Sequence, residues 1–293
     1  SNTLHALKKI FGKLIKIFLL IAICFCFLNL FRVVDMSQGT NDFIIRNFRF
    51  FFGFPASFAI FVLSLFGIIL DTTKSIFKQF FFWISLLLIV STLKTQSLFF
   101  AMVLILLSIY IGRKRRINLR KIFLILLAAL PIAIPSVTNY FHTTSYSPRQ
   151  VLILGGFNLS KQFFPFGSGF ATFGSAIASK NYSPIYIQLG YNSLYGMGLN
   201  GDNSFLSDNF FAALIGELGA LGILIFFGLV IVILRVFLQP ESNKNLSCYC
   251  ISMFISLIAI NISSSFFSSA TGALMMCILA VVSRDGPHIE DSD

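Results

Sequence analysis

Long uncharged apolar runs, bounded by short basic segments, constrain this chain more than any of its other features. At 1.5 Å per helical residue, about 20 apolar residues cross the ~30 Å of hydrocarbon in a bilayer. Several runs approach that length. Composition agrees: only 11% of the 293 residues are charged, whereas a soluble domain carries about 25%. Thirty-seven Phe residues would fit a biased genome, but uncharged runs of this length would not. An ordinary soluble domain is excluded.

Eight runs qualify as candidate spans: Leu14 to Phe31, Phe50 to Leu70, Phe77 to Leu93, Ser97 to Gly112, Arg120 to Val137, Phe210 to Leu238, Leu246 to Phe266 and Phe267 to Ser283. They divide the chain into N-terminal membrane helices (1–137), a long polar loop (138–209), C-terminal membrane helices (210–283) and a cytoplasmic tail (284–293). The expected fold is all-α, a polytopic integral membrane helical bundle with one large extracytoplasmic loop. Lys8, Lys9, Lys13 and Lys16 precede the first run as they would in a signal peptide, but no small-residue cleavage site follows Phe31, so a retained helix is expected. Ser1 to Thr3 hold no initiating Met and read as an internal cut, with room for earlier spans. Cys24, Cys26, Cys248, Cys250 and Cys277 lie in apolar stretches with spacing that suits neither zinc nor a secreted disulfide framework. They read as packing or lipid-facing residues.

Orientation follows from Lys and Arg in short loops, because these resist translocation while acids matter little. The segment Arg113 to Lys121 holds Arg113, Lys114, Arg115, Arg116, Arg120 and Lys121, which puts it in the cytoplasm. Alternation then places the Lys-rich start, Lys74, Lys78, Lys244 and Arg284 on the same side. One assignment serves every short basic loop, and the net charge of +11 needs no nucleic acid. Seven basic residues are left outside: Arg32, Arg46, Arg49, Lys94, Arg149, Lys161 and Lys180. They oppose the topology rule and need a chemical reason.

The outer loop, Thr138 to Asn209, is rich in Tyr, Ser, Asn and Gly, and its run from Phe164 to Gly174 reads as a tight turn flanked by aromatics. Rings recur at Tyr140, Phe141, Tyr146, Phe157, Phe163, Phe164, Phe166, Phe170, Tyr182, Tyr186, Tyr191 and Tyr195, which argues against disorder. Such rings beside small polar residues suit sugar faces or, equally, a membrane interface. At the end of the loop Asp208-Asn209 is followed, after nine residues, by Gly219-Ala-Leu-Gly222 in a helix that carries Glu217.

That junction resembles the bacterial O-antigen ligases and polysaccharide polymerases, which carry a polar pair, His then Asn, Ser or Gln, nine residues before Gly-X-X-Gly, Thr or Tyr. The spacing matches. Asp208 stands where the ligases have His, which points toward the polymerases. Three further segments resemble family features in the same order: Arg49-Phe-Phe-Phe-Gly53-Phe-Pro55 opening an outer helix, Ser91-Thr-Leu-Lys94-Thr-Gln-Ser97 joining two helices, and Arg149 ahead of the Phe-Pro-Phe-Gly-Ser-Gly turn. The resemblance covers Arg49 to Gly222. It implies a metal-independent glycosyltransferase of the bacterial inner membrane acting on undecaprenyl-diphosphate-linked oligosaccharides, with membrane lipid and a chain-length regulator as partners and no nucleic acid or cofactor.

The residues themselves suit that chemistry. A diphosphate leaving group without an Asp-rich metal motif must be met by cations, and Arg49, Lys94 and Arg149 are on the expected side. Guanidinium groups bind phosphate bidentately, so the arginines rank above Lys94. The plainer alternative for each is a snorkelling or headgroup-binding residue. Asp208 would take the proton from an attacking sugar hydroxyl, with Asn209 beside it; its plainer alternative is capping the next helix. Glu217, inside an apolar helix, would pair with Arg149 or Lys94 or hold a raised pKa, the ion pair being the preferred reading, and it stands with Arg49, Lys94 and Asn209 among the candidate diphosphate- or substrate-binding residues. His142 reads as a surface histidine. The rival functions are an O-antigen ligase and a transporter or flippase. Against a transporter, the sequence shows neither internal repeats nor broken midplane helices.

Overall fold

A computed structural model describes residues 2–38, 47–70, 74–112, 120–129, 147–199, 203–238, 244–262 and 264–283. Among them every regular element is helical, and extended pairing is confined to one antiparallel bridge between Ser37 and Phe48. In chain order the helices are α1 (Asn2–Leu30), α2 (Pro55–Ile69), α3 (Phe80–Ser91), α4 (Thr95–Gly112), α5 (120–129), α6 (Pro148–Gln162), α7 (Ala176–Lys180), α8 (Pro184–Gln188), α9 (Phe210–Phe237), α10 (Lys244–Ile260) and α11 (Ala270–Ser283). The expected all-α class is observed. Proline opens α2, α6 and α8, where its missing N–H costs nothing and its fixed φ favours the first turn.

Each of the eight expected spans contains a helix, but among the described residues length and composition suffice to cross a membrane in two of them, Ile10–Leu30 and, if counted as continuous through Gly219, Phe210–Phe237. The apolar helices Pro55–Ile69, Phe80–Ser91, Thr95–Tyr110, Lys244–Ile260 and Ala270–Ser283 are shorter.

The sixth expected span is not one straight helix. Gly219 has φ 60° and ψ −149° in the middle of α9. Phe211 and Phe226 are fifteen residues apart, which is ~22 Å along a continuous helix, yet their ring centroids lie 5.6 Å apart. Phe210 also meets Phe226, at 5.9 Å. The chain therefore folds back at Gly219, leaving limbs of residues 210–218 and 220–237 side by side. This corrects the expectation of an unbroken span, and with it the statement that the sequence holds no broken helix. Hydropathy could not reveal the break, because both limbs are apolar and a single Gly inside a helical pattern is unremarkable.

The chain divides into two compact units. The first comprises residues 1–133, 237–256 and 275–293. Phe66, Phe82 and Tyr249 lie in its core, and the Tyr249 ring occupies the space that a side chain at Gly67 would need. Ser64, fully buried in α2, returns its hydroxyl to the Ile60 carbonyl at 2.8 Å, so no donor is stranded. Cys248 and Cys250 are buried here while Cys24 and Cys277 are exposed; all five cysteines are free.

The second unit comprises residues 134–236 and 257–274. Where the sequence reads as a long polar loop, the described residues form α6, α7, α8 and short 3-10 turns around a core of Leu152, Leu159, Phe173, Tyr186, Tyr191 and Leu206. Over these residues the loop is thus a folded, largely helical segment. Helices of five residues are too short to show a 3.6-residue period, and α6 carries Gly155 and Gly156 on its buried face. The legible signals were the Ser-Pro pairs at 147–148 and 183–184, which start helices, and Ser175, whose side chain caps α7 by accepting from Ala178 N–H.

Tyr182, Tyr186 and Tyr191 are explained by this core, whereas Tyr195 is 79% exposed. Tyr182 donates its hydroxyl to the Met197 carbonyl at 2.9 Å and Tyr191 to the Val151 carbonyl at 2.8 Å, while Tyr186 accepts from Gly174 N–H at 2.8 Å. Each ring fills the core while its hydroxyl satisfies a backbone group, as buried phenols must. Burial pushes the Tyr186 phenol well above its usual pKa, so it stays neutral. Tyr140, Phe141 and Tyr146 lie outside the described residues.

Candidate functional site

Asp208 and Arg149 meet. Arg149, in the first turn of α6, donates from Nη2 to Asp208 Oδ2 at 2.6 Å, with side chains 24% and 27% exposed respectively. Asp208 sits between the 3-10 turn Ser204–Ser207 and α9. Two forces act on its carboxyl in opposite directions. Burial raises the pKa and the Arg149 cation lowers it; burial prevails, and the group lies above its ordinary value.

Which residue caps α9 decides what Asp208 is free to do. Asn209, not Asp208, takes the cap: its Oδ1 accepts from Ala212 N–H at 3.0 Å, and its Nδ2 donates to the Ile262 carbonyl at 3.1 Å. The Asp208 carboxylate is therefore available to the guanidinium. Further bonds pin the same stretch to the turn after α10. Ser265 Oγ donates to the Ser207 carbonyl at 2.5 Å, and Phe210 N–H to the Ser264 carbonyl at 3.3 Å. Asn261, fully buried, shapes that turn by accepting from Phe267 N–H at 2.9 Å. The sequence reading passed over Asn261 and Ser265. Their signal was a cluster of Asn and Ser between two apolar runs, 261–269.

Glu217 is not paired with Arg149 or Lys94 as expected. Among the described residues its Oε1 accepts from Phe173 N–H at 3.1 Å and from Ser175 Oγ at 2.7 Å. Its own carbonyl accepts from Gly169 N–H at 3.0 Å, and the neighbouring Gly216 carbonyl accepts from Ser168 N–H at 2.8 Å. On the far side of the break, Leu221 N–H donates to the Pro165 carbonyl at 3.2 Å. The glycine-rich turn thus fills the break in α9 and takes up the peptide groups the break sets free. A Cβ at Gly167 would lie 2.6 Å from both the Gly216 carbonyl oxygen and the Gly219 nitrogen. Only bare backbone can approach so closely. The sequence singled out this turn and the Gly219 motif as separate features; they are two halves of one joint, and Glu217 is its clamp.

No protein-family model, curated protein or solved structure matches this chain.

The other two motif segments meet in the first unit. Phe48 N–H donates to the Ser91 carbonyl at 3.1 Å, which sets the segment carrying Arg49 beside the turn carrying Lys94. Arg49 N–H donates to the Met36 carbonyl at 2.9 Å, and the Lys94 carbonyl accepts from Leu98 N–H at 3.0 Å. His142 and Arg46 lie outside the described residues. Among those described, no three His, Cys, Asp or Glu residues gather as a metal site would require.

Since Glu217 clamps a turn through neutral donors, Glu217→Gln should keep the geometry and lose only charge assistance, about 1 kcal/mol. Glu217→Ala should cost more, because the buried Phe173 N–H is stranded at ~1–3 kcal/mol and the part-buried Ser175 hydroxyl loses its partner as well. Thermal denaturation in detergent separates the two. Loss of activity in Glu217→Gln at unchanged stability would show that this carboxylate takes part in the chemistry.

Proposed function

We propose that this chain is a multi-pass enzyme of the bacterial inner membrane that polymerises undecaprenyl-diphosphate-linked oligosaccharide repeats into O-antigen, capsule or exopolysaccharide. The observation that supports this reading is the pair of Arg149 and Asp208, a guanidinium and a carboxyl of raised pKa held in contact at the junction that resembles the polymerases. In the reaction, an acceptor sugar hydroxyl attacks the anomeric carbon of the donor. A C–O bond forms, the bond from the anomeric carbon to the diphosphate oxygen breaks, and polyprenyl diphosphate leaves with the electron pair. Asp208 receives the hydroxyl proton and Arg149 offsets the charge on the leaving group.

The resting ion pair suits an exchange. A diphosphate that takes over the Arg149 guanidinium releases the Asp208 carboxylate, whose burial then makes it the stronger base.

The rivals differ in what they leave behind. Cells lacking a polymerase display single capped repeats, cells lacking a ligase retain long polymer on the carrier, and cells lacking a flippase trap single repeats inside. One glycan gel, with and without the intact gene, tests the proposal, and long carrier-bound polymer in the deletion strain would replace it with the ligase. The break in α9 is a feature transporters also show. Here residues 165–169 bond the Gly216 and Glu217 carbonyls and the Leu221 N–H, so these groups of the break serve the joint.

Arg149→Lys should lose most polymer at normal protein level, because an ammonium keeps the charge and loses the bidentate contact. Full polymer would assign Arg149 to a headgroup. The acid limb of the pH profile should lie above the ~3.9 of an ordinary Asp, since the base works only when ionised and its pKa is raised by burial. Arg149→Gln should move the limb higher still, because the cation that lowers the pKa is gone. A limb at or below the ordinary value would count against Asp208 as base.

A further inference from the structure

The second unit carries an apolar face that its own core does not cover. On α6, Leu152, Gly155, Gly156 and Leu159 are buried. Leu154, Phe157 and Lys161 are exposed at positions i, i+3 and i+7, which places them in one stripe on another side of the helix. The stripe leads into the glycine-rich turn, where Phe164, Phe166 and Phe170 are 73%, 68% and 80% exposed. That turn is bonded to α9 through Pro165, Ser168 and Gly169, so its rings project from a fixed backbone. A helix apolar on two sides needs two apolar neighbours, and among the described residues only one is supplied.

Charge identifies the second neighbour. From Ser147 to Leu199 the charged residues are Arg149, Lys161 and Lys180, with no acid among them. Protein interfaces are depleted of Lys and ringed by polar groups of mixed sign, whereas aromatic rings beside lysine, without acids, suit the boundary between acyl chains and anionic headgroups. We propose that the exposed stripe of α6 and the aromatic turn that follows it form an anchor lying in the plane of the membrane, seated on an anionic lipid leaflet. The anchor gives Lys161, one of the seven cations that oppose the topology rule, a place on the headgroups. It goes beyond the polymerase reading and does not depend on it. Where both hold, Arg149 and Asp208, at the start of the same helix, are kept at the height where a lipid-linked diphosphate travels.

The chain has a single tryptophan, Trp83, so Trp83→Phe makes a dark background into which Phe166→Trp or Phe170→Trp is introduced. These exchanges replace one exposed ring by another, and circular dichroism checks the fold. The full chain is reconstituted into phosphatidylcholine vesicles with and without phosphatidylglycerol, brominated near the headgroup end or near the terminal methyl of the acyl chains. Insertion to ~5–10 Å should roughly halve the emission with the shallow bromines and change it little with the deep ones. Leu229→Trp, on the exposed apolar side of α9, serves as the lipid-contact reference. Emission at the wavelength of a water-exposed indole, unquenched by either lipid, would overturn the anchor. A blue-shifted but unquenched indole would overturn it in favour of a protein partner. Lys161→Gln should abolish any extra quenching in the anionic vesicles, and a difference that survives it would overturn the part assigned to Lys161. No sugar enters these measurements, so a failed glycan ladder beside a quenched indole would dispose of the polymerase alone.

Discussion

Asp208→Asn is expected to fold and to lose at least ~100-fold of polymerising activity, the lower end of what a general base contributes. The variant is informative because the helix cap lies elsewhere. Asn209 accepts from Ala212 N–H, so changing Asp208 leaves the start of α9 untouched. Asn at 208 can still accept one bond from Arg149 Nη2, and both side chains keep some access to water, so the cost in stability should be about 1 kcal/mol. What Asn cannot do is take a proton. The companion variant, Asn209→Ala, removes the cap at a cost of about 1 kcal/mol and leaves the carboxylate in place, so it should reduce stability more than turnover. Turnover on lipid-linked repeats, alongside melting temperature, resolves the pair. Full-length polymer made by Asp208→Asn at normal protein level would remove Asp208 from the chemistry.

Gly219→Ala is expected to prevent the chain from accumulating in the membrane. At φ 60° and ψ −149° the backbone occupies a region open only to glycine, at ~1–3 kcal/mol for any other residue. A Cβ would also lie 2.5 Å from Gly167 N and 2.6 Å from the Pro165 oxygen, which are backbone atoms already bonded into the joint. Together these effects should exceed about 4 kcal/mol, comparable with the whole stability of many domains. Gly228→Ala is the matched control. Nothing lies within 4 Å of the space its Cβ would occupy, so the better helix former should be neutral or stabilising by up to ~1 kcal/mol. Protein level and melting temperature are the readouts. Equal behaviour of the two variants would mean that α9 runs straight through Gly219 and that the joint does not exist.

The candidate site was legible in its residue types and only partly in its relations. Arg149 and Asp208 stood out as charges at the ends of a polar stretch. Their contact did not, since 59 residues separate them. For Glu217 the expected salt bridge gave way to two neutral donors because the nearest groups in space belong to a turn 42 residues earlier. The capping question turned on a one-residue choice between adjacent Asp and Asn, either of which caps well, and the Ile262 carbonyl decided it by holding Asn209 in place.

By itself the sequence determined the helical class and a helix within each of the eight apolar runs, although α1 begins at Asn2 where the run begins at Leu14, and α10 ends at Ile260 where the run continues to Phe266. Those are sums over neighbouring residues, and hydropathy, charge and proline placement are all local. Tertiary structure alone decided that α9 turns back at Gly219, that the tyrosines of 182–191 are core residues, and that Asp208 faces Arg149 while Glu217 clamps a turn. Each of these depends on which backbone groups and rings come within a few ångströms across dozens of residues. A sequence states what each residue can bond; only the closed chain determines which partner arrives.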